Sequence, residues 1–356
     1  MPPRRSHAKS HHGCTQCKRR RIKCNEARPA CASCRRKQLP CAYNSVAPQA
    51  APPLTGDAAL IRQVASPLAL QDLELLHHWH TLTAASLDNA PIVQDILRTV
   101  FPQEGLASPF LLHSILAVAA LHKAQAIAEE RRDHYGALAR AHHNMSLVLC
   151  GPFLNSITPL NCHALFGFSC LVPIFVFAAH STGISRLRSL VEVVDSFKLI
   201  RGTCFVVDRA RPWINEGPLH PLLRIGHYRQ EQASAAKQRA LNLSSQIMVA
   251  IERVPEVRQN KDIGTTLSSL LHLLHIFTET GDARAILSWP CLANPEFFDL
   301  VFSHDRGSML VLYIFGRVLG VVPLLWWLDG WSSFLVELCR DSMVLVDQEF
   351  LDSITI

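Results

Sequence analysis

Acidic residues are almost missing from the first 50 positions, where Glu26 stands alone against 12 lysines and arginines. The other 306 residues carry 23 basic and 28 acidic side chains, so a head of net +11 precedes a body of net −5. A basic head is what binding to a phosphate backbone requires. Enzyme signatures are missing too: there is no GxSxG elbow, no P-loop and no GxGxxG. Ser234, Ala235, Ala236 and Lys237 have S-x-x-K spacing, but no S-D-N or K-T-G stretch accompanies them, so the match reads as coincidence. No apolar run follows the basic start Met1-Pro2-Pro3-Arg4-Arg5, which argues against a signal peptide. Alternating strand patterns are scarce. In the body, Cys150, Cys162, Cys170, Cys204, Cys291 and Cys339 form no CxxC pair and read as free buried thiols in a reducing compartment.

Two stretches are apolar enough to test for a membrane span. Residues 164–179 are only 16 long and contain Pro173, and residues 309–328 carry Arg317 near the middle and Pro323 beyond it. Spanning takes about 20 apolar residues and tolerates a central charge poorly. Both read as buried helices, and no membrane span is expected.

Cysteine is abundant in one place. Cys14, Cys17 and Cys24 recur 17 residues later as Cys31, Cys34 and Cys41, giving C-x2-C-x6-C-x6-C-x2-C-x6-C. Structural zinc prefers four ligands in a tetrahedron, and thiolates suit it. Six thiolates fill one such site with two to spare, or two sites if two of them bridge. The internal repeat makes the bridged arrangement natural, one bridging thiolate from each half. Such a cluster carries a net charge of about −2, so basic residues should surround it. Lys18-Arg19-Arg20-Arg21-Ile22-Lys23 and Arg35-Arg36-Lys37 do so. A disulfide scaffold is the other use of six cysteines, and it needs an oxidising compartment.

Residues 13–43 resemble, without a gap, the fungal-type Zn(II)2Cys6 binuclear zinc cluster transcription factors. The resemblance implies two Zn2+ per chain, held by Cys14, Cys17, Cys24, Cys31, Cys34 and Cys41, with Cys14 and Cys31 bridging. Pro29 sits where the family turns the chain between the halves. Arg20 and Arg21 sit where the family reads bases, and Lys23 at a phosphate-contacting place. Lys18, Arg19 and Arg35 are the further candidate phosphate anchors. Asn25 stands where the family often has Asp.

The expected architecture is mostly α. A basic, disordered N-terminus (1–12) precedes the zinc-cluster DNA-binding module (13–43), and a Pro/Ala-rich linker (44–67) leads to an all-helical regulatory domain (68–356). The linker is too rich in proline and too poor in apolar residues for a dimerising coiled coil, so monomeric binding or dimerisation through the body is preferred. Leu68, Leu70, Leu73, Leu75, Leu76, Trp79 and Leu82 recur at helical steps. Ser108 and Pro109 mark a helix start before the apolar run 110–121. Further helices are expected over 129–149, 160–179, 185–200, 232–253, 264–279, 307–327 and 331–347. Gly151-Pro152, Gly217-Pro218 and Trp289-Pro290 serve as breaks between them.

The body resembles, over about residues 70–340, the regulatory domain of the sterol-uptake-control type of zinc cluster factor. The residues concerned include Leu73–Trp79, Ser108–His113, Ala119–His122, Arg201-Gly202, Trp289-Pro290 and Trp326–Trp331. That resemblance implies an apolar pocket able to hold a sterol in some relatives, while many relatives govern secondary-metabolite gene clusters.

Other signals have plainer readings. His77, His78 and His80, like His272 and His275, read as solvated helix faces, and Trp326, Trp327 and Trp331 as core. Residues 347–352 mix acids with apolar side chains and could recruit co-regulators or simply end a helix. Residues 18–23 could double as a nuclear import signal.

The reading is therefore a nuclear, sequence-specific DNA-binding regulator of RNA polymerase II genes, and not an enzyme. Its partner is double-stranded DNA carrying CGG-like half-sites. Its targets are expected in a biosynthetic gene cluster; the alternative is a sterol-responsive regulator. Zinc catalysis fails on chemistry, because a catalytic ion keeps an open position and thiolates take them all.

Overall fold

The protein's structure, a computed structural model, describes residues 13–43, 70–227, 234–323 and 325–343. The expected N-terminal tail, the linker and the 347–352 segment lie outside them. The chain divides into two compact units, residues 1–68 and 69–356. No strand occurs among the described residues.

The first unit holds two short helices, α1 (Thr15–Arg19) and α2 (Ala32–Arg36). Its buried side chains are cysteines, Cys14, Cys17, Cys24, Cys31 and Cys34, with Cys41 and Tyr43 packed against them. Among the described residues of this unit no apolar core occurs, as expected of a module that relies on metal.

The second unit is helical throughout. Helix α3 (Leu70–His78) continues through a π-helical turn, Trp79–Thr83, into Ala84–Ser86. Then follow α4 (Pro91–Ala107), α5 (Pro109–Gln125), α6 (Glu129–Leu154), α7 (Cys162–Ser181), α8 (Leu190–Asn215) and the single turn α9 (His220–Leu223). The second half comprises α10 (Ser234–Ile251), α11 (Pro255–Gln259), α12 (Lys261–Thr280), α13 (Ala283–Leu287) and α14 (Trp289–Leu292). It ends with α15 (Pro295–Phe302), α16 (Arg306–Leu319), a 3-10 turn Trp326–Leu328 and α17 (Trp331–Ser342).

Two helices are buried nearly all round and organise the rest. In α5 the run Ser114–Leu121 is buried throughout, and α3, α4, α6 and α7 pack about it. In α16 the run Gly307–Gly316 is buried, against α12, α15 and α17. A helix apolar on every face belongs in a core. Helix α7 is the one described helix long and apolar enough to cross a membrane, and 72% of its apolar window is buried inside the fold. The 309–328 stretch is not one helix: α16 stops at Leu319.

Proline proves to start helices more often than it separates them. Pro91, Pro109, Pro255 and Pro295 stand in first turns, where the missing N–H costs nothing. Ser108 is the N-cap of α5 as expected, but its side chain makes no capping bond. Pro152 and Pro212 lie inside α6 and α8, so these helices run to Leu154 and Asn215, past the expected ends. In α8 the neighbours Ala210 and Ile214 are fully buried, and that packing outweighs one lost hydrogen bond. Gly217 follows because a Cβ there would stand 2.0 Å from the His163 ring.

Five of the six tryptophans lie in or against the core with satisfied N–H groups. Trp79 donates to Leu97 O (2.8 Å), Trp289 to Thr266 O (3.1 Å) and Trp331 to Phe177 O (2.9 Å). Trp326 and Trp327 donate to Ser86 Oγ (2.9 Å) and Leu87 O (3.3 Å), fastening the 3-10 turn to the end of the first helix. Of the expected solvated histidines, His77 and His80 are exposed, but His78 is half-buried against His122, with ring centroids 5.1 Å apart. Burial lowers its pKa, and Lys123 lowers it further.

A cavity of about 560 Å3 opens between α4, α7, α8, α12 and the α13–α14 turn. It opens to the surface, so solvent or a ligand fills it. Trp327 borders it, whereas Trp331 is fully buried away from it.

Phe197 joins α8 to α15, α16 and α17 through Phe298 (6.2 Å), Phe315 (5.8 Å) and Trp331 (6.5 Å between ring centroids). Phe197→Ala should cost about 3–5 kcal/mol. The check is the urea midpoint of the helical unit in the zinc-loaded chain; a loss below about 1 kcal/mol would contradict this packing.

Candidate metal centre and nucleic-acid interface

The 17-residue repeat of the sequence reappears as a repeat of contacts. Cys17 N–H donates to Cys14 Sγ (3.4 Å), and Cys34 N–H to Cys31 Sγ (3.4 Å). Cys14 N–H points at Cys24 Sγ (3.5 Å), and Cys31 N–H at Cys41 Sγ (3.3 Å). Each short helix is thus capped by its own first cysteine. Both helices end alike: Ile22 N–H donates to Cys17 O (3.1 Å) and Leu39 N–H to Cys34 O (3.0 Å). Just before these, Arg21 (φ 53°) and Gln38 (φ 50°) take the left-handed conformation.

Asn25 closes the repeat. Its Oδ1 accepts from Ala32 N–H (2.8 Å), the place that Ala42 O fills for Thr15 N–H (2.9 Å) in the other half. Tyr43, which sequence reasoning passed over, donates to Ala27 O (2.8 Å) and lies 3.9 Å from Cys24 Sγ. Its ring also takes the Arg28 guanidinium at 5.3 Å.

All twelve cysteines are free. The Sγ atoms of Cys14 and Cys31 are 3.8 Å apart, those of Cys14 and Cys34 3.6 Å, and those of Cys17 and Cys31 3.6 Å. A disulfide needs about 2.05 Å, so a disulfide scaffold does not describe this module. Two sulfurs on one tetrahedral zinc, each about 2.3 Å from it, lie about 3.8 Å apart. Two groups of four thiols could each hold an ion: Cys14, Cys17, Cys24 and Cys31, and Cys14, Cys31, Cys34 and Cys41. Cys14 and Cys31 belong to both, which is the arrangement that eight positions and six thiols demand. The sulfur set fits two Zn2+. No other such group of His, Cys, Asp or Glu occurs among the described residues.

The thiols also show why a cation is needed. Burial pushes upward on Cys14, Cys17, Cys24, Cys31 and Cys34; at Cys34 the surrounding sulfurs add to it, and the thiol is pushed up to about 12. At Cys31 burial is outweighed by the Cys34 N–H and neighbouring sulfurs, which bring the thiol down to about 6. Six packed thiolates do not coexist without compensating positive charge.

Lys18, Arg19, Arg21, Lys23 and Arg35 are exposed. Arg20 differs: it is half-buried, and its Nη1 is out of solvent with no hydrogen-bond partner among the described residues. Lys18 and Arg19 lie on α1, and Arg21 and Lys23 on the turn after it, so four cations project from one short segment. In the helical unit the S-x-x-K pair is structural: Ser234 opens α10 and Lys237 Nζ donates to Glu279 O (3.0 Å).

Residues 12–50 match the fungal Zn(2)-Cys(6) binuclear cluster domain. The chain therefore carries a binuclear zinc cluster module, with two Zn2+ on six cysteines. It is 33% identical over 218 residues to the Zn(2)-C6 fungal-type transcription factor afumD of Aspergillus fumigatus, covering 58% of this chain and 57% of that relative. A Zn(2)-C6 fungal-type transcription factor of Gibberella zeae is 23% identical over 92% of this chain and 81% of its own length. Sterol uptake control protein 2 of Candida albicans is 50% identical over 40 residues, 11% of this chain. The chain thus spans little more than half the length of the Aspergillus relative. The domain and these relatives belong to transcription factors and not to enzymes.

Metal uptake must release protons, since a thiol such as Cys34 is protonated at neutral pH until an ion displaces the proton. Acid reverses this. Zinc affinity should fall as pH drops from 7.5 to 5, by about tenfold per unit for each proton released. A zinc-sensing dye in a pH titration reads it; affinity constant across that range would contradict thiolate ligation. A second check uses native mass spectrometry. Cys14→Ala and Cys31→Ala should each retain fewer than two zinc ions, and a variant that kept both would refute sharing of that sulfur.

Proposed function

We propose that this protein is a nuclear, sequence-specific DNA-binding transcription regulator of RNA polymerase II genes. Cys14, Cys17, Cys24, Cys31, Cys34 and Cys41 hold the two zinc ions, and residues 18–23 enter the major groove. The observation that carries the reading is the row of exposed cations, Lys18, Arg19, Arg21 and Lys23, on a segment fixed at both ends by Cys17 and Cys24. Zinc supplies the folding free energy of the module and neutralises most of the thiolate charge.

Arg21 donates to guanine O6 and N7, the commonest specific protein–DNA contact. Its left-handed backbone turns the chain out of α1 where the side chain must leave the surface. Arg20 is the second candidate base reader; half-buried, it has one guanidinium nitrogen without a partner among the described residues. Lys18, Arg19, Lys23 and Arg35 anchor phosphates. The likeness to cluster factors supports CGG-like half-sites, and targets in a secondary-metabolite gene cluster. Binding as a monomer, or as a dimer formed through the helical unit, fits a linker without heptads.

The cavity of about 560 Å3 favours a second, compatible reading: the helical unit is a sensor whose apolar ligand, a sterol or similar molecule, gates the head.

Arg21→Ala should cost about 1–3 kcal/mol on the preferred site and blur base preference there. Lys23→Ala should weaken all sequences alike and lower the salt slope by about one unit. Fluorescence anisotropy on specific and scrambled duplexes separates the two; equal losses on both for Arg21→Ala would remove it from base reading.

A further inference from the structure

We propose that the head carries a second duplex-binding surface, formed by Arg35, Arg36, Lys37 and Gln38, so that one chain holds two DNA segments. Residues 18–23 read one of them, and the second surface grips the other by its phosphates alone. This rests on the reading of residues 18–23 as the segment that enters the groove, and adds a partner for the other half of the module.

The two halves are related by an approximate two-fold. Exchanging Cys14 with Cys31 and Cys17 with Cys34 turns the Cys14–Cys34 sulfur contact into the Cys31–Cys17 contact, and both are 3.6 Å. The same exchange leaves the Cys14–Cys31 contact, 3.8 Å, as it is. A contact set that maps onto itself in this way is what a two-fold axis produces. The relation extends past the sulfurs. Arg35 N–H donates to Cys31 O (2.9 Å) as Lys18 N–H does to Cys14 O (3.1 Å). Gln38 N–H donates to Arg35 O (3.2 Å) as Arg21 N–H does to Lys18 O (3.1 Å).

Arg35, Arg36, Lys37 and Gln38 therefore take the backbone places of Lys18, Arg19, Arg20 and Arg21, and all four are exposed. Gln38 shares the left-handed conformation of Arg21, so the chain leaves α2 as it leaves α1. Residues 13–43 hold nine cations and one acid, Glu26, which leaves the second segment in a strongly positive field.

The differences between the halves set what the second one binds. Gln38 stands where the guanine-reading arginine would be, and Pro40 where Lys23 would be. Three cations and an amide remain, and such donors suit phosphate oxygens. The partner is then a duplex of any sequence. A major groove about 12 Å wide admits one helix. With α1 and its turn in the groove of one duplex, α2 is left for the backbone of another.

The test uses the full zinc-loaded chain at about 50 mM salt. It takes a short duplex bearing a CGG half-site and a second short duplex of random sequence, each with its own fluorophore. The chain saturated with the first should bind the second, and sedimentation should give two duplexes per chain. Affinity in the second step should fall with salt at a slope of about three, one for each cation on a phosphate. The double variant Arg36→Ala, Lys37→Ala should weaken the second step at least about tenfold and lower its slope by about two. The same variant should leave the first step within about twofold, which also shows that the head still folds. One duplex per chain at saturation, or a second step untouched by the double variant, would overturn the proposal while leaving residues 18–23 in place. So would equal losses in both steps, which would put the two segments on one duplex. Failure of the first duplex to bind would overturn the reading of residues 18–23 and this proposal with it.

Discussion

Six sulfurs crowded into one cluster, four of them to contacts of 3.6–3.8 Å, are the constraint on which the first unit depends. Protonated, they pack as small apolar groups but give little burial for their number. Ionised, they repel. Two divalent cations resolve both difficulties at once, and a module of about thirty residues gains a core it cannot otherwise build. The DNA-facing segment follows from this. Residues 18–23 are held between two buried cysteines, and Lys18, Arg19, Arg21 and Lys23 turn outward while Arg20 stays half-buried. The metal centre and the interface are consequences of one spacing.

The helical unit is built on the opposite economy. It has apolar area to spare, two helices buried on nearly all faces, and space left over in the form of the cavity. Asp88, Arg284 and Asp282 form a charged cluster that joins a loop near residue 88 to the start of α13. Trp326 and Trp327 fasten the same stretch from another side. Anything that enters the cavity therefore meets a wall tied to three distant parts of the chain.

Legibility in the sequence followed the range of the interactions. The cysteine repeat was readable because ligand spacing is local and the two halves check each other. The buried runs of α5, α7 and α16 were readable because their apolar stretches announce themselves. Helix α4 escaped notice, although Val93, Ile96, Leu97 and Phe101 fall at three- and four-residue steps behind Pro91. Pro91, which opens its first turn, was not read as a helix start. The ends of α6 and α8 were placed too early; in α8, packing at Ala210 and Ile214 carries the helix past Pro212 between them. The roles of Asn25, Tyr43 and Asp88 depend on partners that the fold, and not the local sequence, brings near. The partial burial of Arg20 and His78 belongs to the same class.

The claim on which the account turns is that the thiol cluster folds the head that reads DNA. Selection from a randomised duplex library by the full chain, with zinc present and after chelation, tests it most directly. The account predicts enrichment of a short CGG-like half-site that vanishes when zinc is withdrawn and returns when it is restored. Enrichment that survives removal of both ions, or no enriched half-site with zinc bound, would contradict it.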